Sequence, residues 1–444
     1  MRYAGTILLG AMGIAAPVAA AGAPAVVLHE FTGSPDGARP TGSVVVNGAG
    51  EVFGTTMAGG ANGLGTVFRL SPPGTDGKGW TNTLLYSFDG THGALPYAAP
   101  VLDAGGNLYL TTAAGGGRCP AANGTAARGC GQVVALSPPA AAGGAWQVNT
   151  LHQFTGGDDG AAPLGPVVFD SAGNLYVATY GGGGTSCTTD GNAGCGTVVE
   201  LSPPGAAGGP WTEAVLFRFP SDGSLGTNPV GLARDDGGVL YVVSQFGGAA
   251  HVGTLITLTA PIYGAAWTPA LVYSFDLKEA GVYPVDPPVL DNAGRVYVST
   301  LFGFGHSPDG AVTRLAPPGF SGGKWQVDVL HAFKGGAGGA GPEAPMITSG
   351  GTIFLTTFSG GTSGCGGAGC GTLVSLTPQP GGTGAVEQVL FRFRSAGAYY
   401  PGSPDGAGAL ATDSAGNFFV TTDGGQGAVV MVPAAASARK VKAK

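Results

Sequence analysis

Six histidines and six cysteines hold much of the reactive chemistry open to this 444-residue chain, and their spacing sorts them into kinds. His29, His152 and His331 recur in one context, two residues before a phenylalanine, in a slot that is otherwise Tyr86, Phe217, Tyr273 or Phe391. They read as rings packed between sheets. His92, His251 and His306 break that pattern, and an imidazole outside a packing slot can hold a ligand or move a proton near neutral pH. In loops of the same class stand the aromatics Tyr180, Phe246, Phe302, Phe304 and Phe358, with Tyr97, Tyr399 and Tyr400, and the acids Asp89, Asp158, Asp159, Asp222 and Asp423. Rings that stack on apolar sugar faces, beside carboxylates that hold hydroxyls or amines, suit a glycan or peptide ligand. His92, His251, His306, Tyr180, Phe246, Phe302, Phe304 and Phe358 are therefore the candidate binding residues.

The cysteines fall as Cys119 and Cys130, Cys187 and Cys195, and Cys365 and Cys370, each pair inside one of the three longest loops of its kind. Local pairing is the economical connectivity, and each closed loop should stabilise the fold by about 2–3 kcal/mol in the chain-entropy view. Zinc needs four converging ligands, and these loops hold no histidine; "CGGAGC" is also too widely spaced for a thioredoxin-like redox pair. No metal or other cofactor is expected. The chain has no GxSxG elbow, zincin motif or phosphate-binding loop, and its 26 acids are spread too evenly to single out a glycosidase pair. No catalytic residue is assigned; an enzyme would have to use residues that break the repeat, as His251 and His306 do.

The elements that must position these residues come from one cassette repeated seven times. It closes on Phe31, Phe88, Phe154, Phe219, Phe275, Phe333 and Phe393, at intervals of 56 to 66 residues, the length of a four-stranded sheet with its loops. Trp80, Trp146, Trp211, Trp267 and Trp325 each stand eight residues before the closing Phe, an even spacing that predicts both rings on one face of an extended strand. A second strand signal, as in "NLYVAT", carries an aromatic and, three residues on, a hydroxyl: Thr56, Thr112, Thr179, Ser244, Thr300, Thr357 and Thr422. Those hydroxyls either satisfy backbone groups at the sheet's end or form a polar collar around a channel. A third signal, as in "GTVVELSPP", stops at prolines that cannot donate to a ladder. A short apolar run such as "PVVFD" precedes the second signal, joined to it by turns such as "DAGGN". In chain order these are strands a, b, c and d, with d ending in Phe.

Four-stranded sheets that are apolar on both faces must pack against neighbours on both faces. The predicted fold is all-β: a seven-bladed β-propeller with four antiparallel strands per blade. The seventh cassette lacks a d strand while the chain begins with an orphan one, "VVLHEF", so the last blade should be closed by the N-terminal strand. A six- or eight-bladed closure or an open solenoid is the alternative. With strands a around the channel, the d-to-a and b-to-c loops share one face. That loop-rich face carries the long insertions and the expected ligand site; the a-to-b turns and the c-to-d segments share the other.

Glycine supplies 86 residues and charged residues only 10%, the composition of many turns joining short strands. Residues 1–23 read as a signal peptide, with Arg2 before a short apolar run and small residues at its end. Residues 24–433 are then the propeller, and 434–444 a basic disordered tail. The net charge of −7 becomes more negative once Arg2 and the tail's Arg439, Lys440, Lys442 and Lys444 are set aside, so no nucleic acid is expected as partner. No segment after the leader is apolar enough to cross a membrane, and a monomer is expected.

Recurring in order, "GNLYVATYGGGG", "GCGTVVELSPP" and "VLFRF" resemble the Gloeo/Verruco (GloVer) tandem repeat of exported bacterial "choice-of-anchor" proteins. The resemblance implies a secreted or surface-tethered repeat protein and transfers no catalytic residue. After Pro433 the chain has no apolar tail, a departure from the family's sorting signals. "NLYVAT" is also similar to the strand signature of NHL-type propellers, some of which are lyases or lactonases. The expected function is a binding or scaffold module at the cell envelope, secreted, periplasmic or on the cell surface, with a glycan or envelope protein as partner. A secreted polysaccharide lyase or lactonase-like hydrolase is the alternative.

Overall fold

The structure is a computed structural model. It describes residues 25–434 except 75–78, 118, 120–128, 142, 185–186, 188–193, 206–208, 262–265, 277–280, 303–308, 320–322, 362–364, 366–368, 380–382, 395–409 and 423. The proposed leader and tail thus lie outside the described residues, apart from Ala434.

Blade 1 shows the plan. Val45–Val46 (a), Val52–Thr56 (b), Thr66–Ser71 (c) and Thr81–Ser87 (d) form one antiparallel sheet in that order. Six further sheets repeat it, so the chain is a seven-bladed propeller. Closure is as expected from the orphan strand: Val26–Glu30 pairs with Ala428–Val432 and completes blade 7. Strand a is only two residues long in five of the blades. Blade 6 divides it into Ala340–Pro342 and Met346–Ile347, and blade 4 extends it over Thr227–Arg234. The a-to-b turn is held by its first residue. Asp103 Oδ1 accepts the amides of Gly105 and Asn107, and Asp170, Asp291 and Asp413 repeat the arrangement.

One expectation about strand d is corrected. Trp and Phe do not share a face: Trp146 packs with Phe53 in the core between blades 1 and 2, while Phe154 lies in the core between blades 2 and 3. The cause is a β-bulge in every strand d. In blade 1 Val67 pairs with Tyr86 but Phe68 with Leu84, leaving Leu85 as an extra residue. Leu28, Leu151, Leu216, Val272, Leu330 and Leu390 are its equivalents. One inserted residue reverses the side-chain parity beyond it. Each d strand therefore gives its Trp to the blade before and its Phe to the blade after. The result is seven apolar cores, one per junction. The closing rings of Phe88, Phe219, Phe275 and Phe393 are fully buried, each stabilising its junction by about 1.5–3 kcal/mol.

The hydroxyls at the end of strand b are fully buried, which decides between their two readings. Thr56 Oγ1 donates to Ala58 O and meets Thr66 Oγ1 at 2.7 Å; Thr179 and Thr357 do the same with Thr197 and Thr372. Except for Ser244, whose buried Oγ has no hydrogen-bond partner, they bond to backbone groups, and being buried they do not collar the channel. Gly37 (φ +129) lies over the first pair, where a β-carbon would fall 2.7 Å from both hydroxyl oxygens. The expected disulfides Cys119–Cys130, Cys187–Cys195 and Cys365–Cys370 are all formed. Among the described residues no helix is long and apolar enough to cross a membrane.

Candidate ligand site at the channel mouth

In blades 1 to 6 the linker from strand d to strand a passes through one residue in the left-handed region just before a proline. Arg39 (φ 56), Leu95 (56), Ala162 (53), Asn228 (57) and Tyr283 (54) hold this position, and Gly341 (65) does so in blade 6. They are five of the seven non-glycine residues with positive φ among the described residues. Glycine fills nearly every other such place. A non-glycine side chain there costs about 1–2 kcal/mol, and such strain persists only when surrounding bonds over-determine it. Those bonds are present. Tyr283 N–H donates to Val252 O in the blade before (2.9 Å), and its carbonyl accepts from Leu301 N–H in its own blade (3.1 Å). Arg39, Leu95 and Ala162 repeat both contacts.

This device aims side chains at the inner end of the loop-rich face, because strand a is the innermost of each blade and strands a of neighbouring blades approach one another. On blade 5 that side chain is the ring of Tyr283, and the ends of strand b on blades 3, 4 and 5 bring Tyr180, Phe246 and Phe302 to the same region. Phe246 and Tyr283 meet edge to face with centroids 5.6 Å apart, and Tyr283 meets Phe302 at 6.0 Å. Tyr180 donates its hydroxyl to Gln245 Oε1 at 2.8 Å, and Asn228 Nδ2 donates to Tyr180 O at 3.0 Å. All four rings are half-buried. Phe358 follows strand b in blade 6 as Tyr180 does in blade 3, beside Gly341.

Of the residues predicted from sequence, Tyr180, Phe246 and Phe302 are thus brought together, with Phe358 at an equivalent place. The histidines do not join them. His92 Nδ1 lies 3.2 Å from the Tyr86 hydroxyl and 3.8 Å from Asp89, beside the outermost strand of its blade. His251 is exposed at a turn of the b-to-c loop. Phe304 and His306 lie outside the described residues. Sequence reading missed Tyr283, Gln245 and Asn228; the residue before each linker proline was the signal that pointed to two of them.

Two acids also escaped notice, both in the channel wall close to the mouth. Asp286 is 2% exposed and accepts a hydrogen bond from Ser299 Oγ at 3.2 Å. Burial pushes its carboxyl up to about 7, with that bond opposing the change. Glu343, 5% exposed, accepts from Thr356 Oγ1 at 2.6 Å. In blades 1, 2 and 7 the equivalent hydroxyls of Thr55, Thr111 and Thr421 donate instead to backbone carbonyls of the next linker, Ala98 O, Gly165 O and Gly42 O. Blades 5 and 6 replace a backbone acceptor with a carboxyl group.

The rim histidines pack as expected and do more. His29, His152 and His331 stack edge-on to Phe31, Phe154 and Phe333 with centroids 4.6–4.9 Å apart. Each also meets a carboxylate: Asp36 at 3.0 Å, Asp159 at 3.3 Å and Glu387 at 3.2 Å. Burial alone would raise the Asp159 carboxyl, but hydrogen bonds from His152 and Thr155 outweigh it and hold the group low. Among the described residues no three His, Cys, Asp or Glu side chains converge as a metal site would require.

Residues 13–189 match the family model of the Gloeobacter/Verrucomicrobia repeat. That segment of the chain carries the family's repeat. The matched segment spans blades 1 and 2 and enters blade 3, and the remaining blades carry the repeat's geometry. No curated protein sequence matches the chain. Among solved structures it is similar to the PL25 ulvan lyase, determined free and bound to -[GlcA(1-4)Rha3S]-, with 10% identity and a TM-score of 0.55 over 93% of this chain and 96% of that one. It also matches the PQQ-bound aldose sugar dehydrogenase of Streptomyces coelicolor, with 16% identity and a TM-score of 0.44 over 79% of this chain and 97% of that one. These likenesses are of fold.

Proposed function

We propose that this repeat protein is an exported carbohydrate-binding module that takes a glycan at the channel mouth of its loop-rich face. The observation that carries the reading is the arc of Tyr180, Phe246, Tyr283 and Phe302, set beside the Gln245 and Asn228 amides on three consecutive blades. Rings offer apolar faces for sugar C–H groups, and amides can give and take hydrogen bonds with hydroxyls. Tyr283 and Asn228, held at the left-handed linker position, contact Phe246, Phe302 and Tyr180 before any ligand arrives, which spares part of the cost of ordering the arc on binding. Three disulfides support an oxidising compartment, and with it export.

A glycan array on the protein lacking residues 1–23 tests this, followed by titration of the best hits into Tyr180→Ala and Phe302→Ala. Each variant should weaken binding by about tenfold or more, as expected when a central stacked ring is removed. Hits that bind both variants as well as the wild type would overturn the site. Turnover of a hit would overturn the assignment as a binding module.

A further inference from the structure

The opposite face carries a cleft of about 440 Å³ between blades 1 and 2, bounded by the a-to-b turns of both blades. Its apolar wall is Trp146 set edge-on to Phe53, with centroids 6.4 Å apart, and Leu102. Its polar side chains are Arg69, Glu51, Asn47 and Asp103, the last engaged by the amides of its own turn and by the Asn107 and Tyr109 side chains. Arg69 Nη1 lies 3.4 Å from Glu51 Oε1, and Asn47 Nδ2 donates to Glu51 Oε2 at 2.9 Å. The Arg69 Nε–H is buried and has no hydrogen-bond partner. A buried donor left unpaired costs about 1–3 kcal/mol, so the site gains from any ligand that brings an acceptor to it.

The repeat shows how the lining of this cleft differs from that of a similar cleft of about 450 Å³ between the a-to-b turns of blades 5 and 6. In blades 2 to 5 the strand-b aromatic is a tyrosine whose hydroxyl reaches the aspartate of its own turn: Tyr109 to Asp103, Tyr176 to Asp170, Tyr241 to Asp235 and Tyr297 to Asp291, at 3.0–3.3 Å. Blade 1 has Phe53 and Asn47 in those places, and its cleft is lined by Trp146 and Arg69, whereas the cleft between blades 5 and 6 is lined by Asp291 and Arg295.

From this arrangement we infer a second binding site, for a neutral saccharide unit, on the face opposite the channel mouth. The ring's apolar face stacks on the Trp146 indole; one hydroxyl accepts from Arg69 Nε–H while its neighbour donates to Glu51. Charge sets the class. Glu51 and Asp103 repel an anionic sugar, and Arg69 is already paired with Glu51, which leaves an uncharged ligand with vicinal hydroxyls as the complementary one. The volume suits one or two sugar rings. With sites on both faces, one molecule can bridge two glycan chains, and linkage raises the avidity of each contact.

The test is indole NMR of the protein without residues 1–23, with the Trp146 signal assigned by Trp146→Phe, titrated with neutral methyl glycosides and with a glucuronide. A neutral glycoside should shift the Trp146 signal at up to tens of millimolar, and Tyr180→Ala, which removes the mouth, should leave that shift intact. Arg69→Met should weaken it by about tenfold, the worth of one such hydrogen bond to a charged donor. The inference is overturned if no neutral glycoside moves the Trp146 signal, if Arg69→Met binds as the wild type does, or if the glucuronide binds better than the neutral sugars. Loss of the shift in Tyr180→Ala would mean that the two faces hold one site.

Discussion

Replacing Asp286 by Asn separates the cost of burying a carboxylate in the channel wall from the geometry of the wall. The side chain is 2% exposed, and the hydroxyl of Ser299 is the one group that works against its burial. Its carboxyl, ordinarily at 3.8, is raised to about 7. Between those values the folded chain binds a proton that the unfolded chain has released, so stability falls as pH rises. The contribution is fully present below 3.8 and is lost once the pH passes about 7. At about 1.4 kcal/mol per pKa unit, the whole loss comes to about 4 kcal/mol. Asparagine keeps the shape, accepts from Ser299 through Oδ1 and never ionises. Equilibrium urea unfolding should therefore show Asp286→Asn within about 1 kcal/mol of the wild type near pH 4, and more stable by up to about 4 kcal/mol near pH 8. Other acids titrate in both proteins and cancel from the difference. A gap between the two proteins that does not change with pH, or an Asn variant less stable at alkaline pH, would refute the argument.

Leu330, the bulge residue of blade 5, is 2% exposed in the core shared with blade 6. Leu330→Ala should cost about 2–5 kcal/mol in chemical denaturation, as a buried cavity does. Replacing Cys187 and Cys195 together by Ser opens a loop with a sequence separation of 8 and should cost about 2–3 kcal/mol in the same assay. Deleting Val26–Glu30 unpairs Ala428–Val432 at the closing seam and should produce soluble aggregates on size-exclusion chromatography, because an exposed strand edge templates pairing with other chains. Leu95→Gly relieves a left-handed leucine and should raise the melting temperature, by a gain of up to about 1 kcal/mol.

The fold was legible because the closing Phe, the second-strand aromatic and the Pro-Pro stop each recur in order, and because the chain starts with the strand its last blade lacks. The bulge was not. Spacing counts residues, and an extra residue in a strand leaves the count even while reversing which face comes next. The rim histidines were half legible: their packing on Phe followed from the slot, but their carboxylate pairs did not. Part of that signal was in the repeat. Histidine stands in the slot only where the next blade has a polar residue two after its Trp position: Asn82 after His29, Glu213 after His152 and Glu387 after His331. Beside Tyr86, Phe217 and Tyr273 the corresponding residues are Val148, Pro269 and Val327. Asn82 Nδ2 indeed reaches both His29 and Asp36, and Glu387 takes His331 where the loop position equivalent to Asp36 is Gly338. These partners are neighbours in space across a junction, roughly one cassette apart in sequence.

The same contrast separates scaffold from site. At the rim and in the seven junction cores the residue types follow the position, because packing sets them. At the left-handed linker position only the backbone is constant. Its side chains run from Arg39 and Leu95 through Ala162 and Asn228 to Tyr283 and Gly341. Packing alone would favour glycine there, as it does at Gly37, Gly93 and Gly160, which hold positive φ in the same linkers. A chain that spends glycine so freely yet keeps larger residues at a strained position has retained their side chains at an energetic cost. The backbone bonds of two blades hold each one in place, so the strain is borne whether or not a ligand is present. That is the behaviour of a preformed surface, and Asn228 and Tyr283 are where it meets the rings of Tyr180, Phe246 and Phe302 that would hold the proposed glycan.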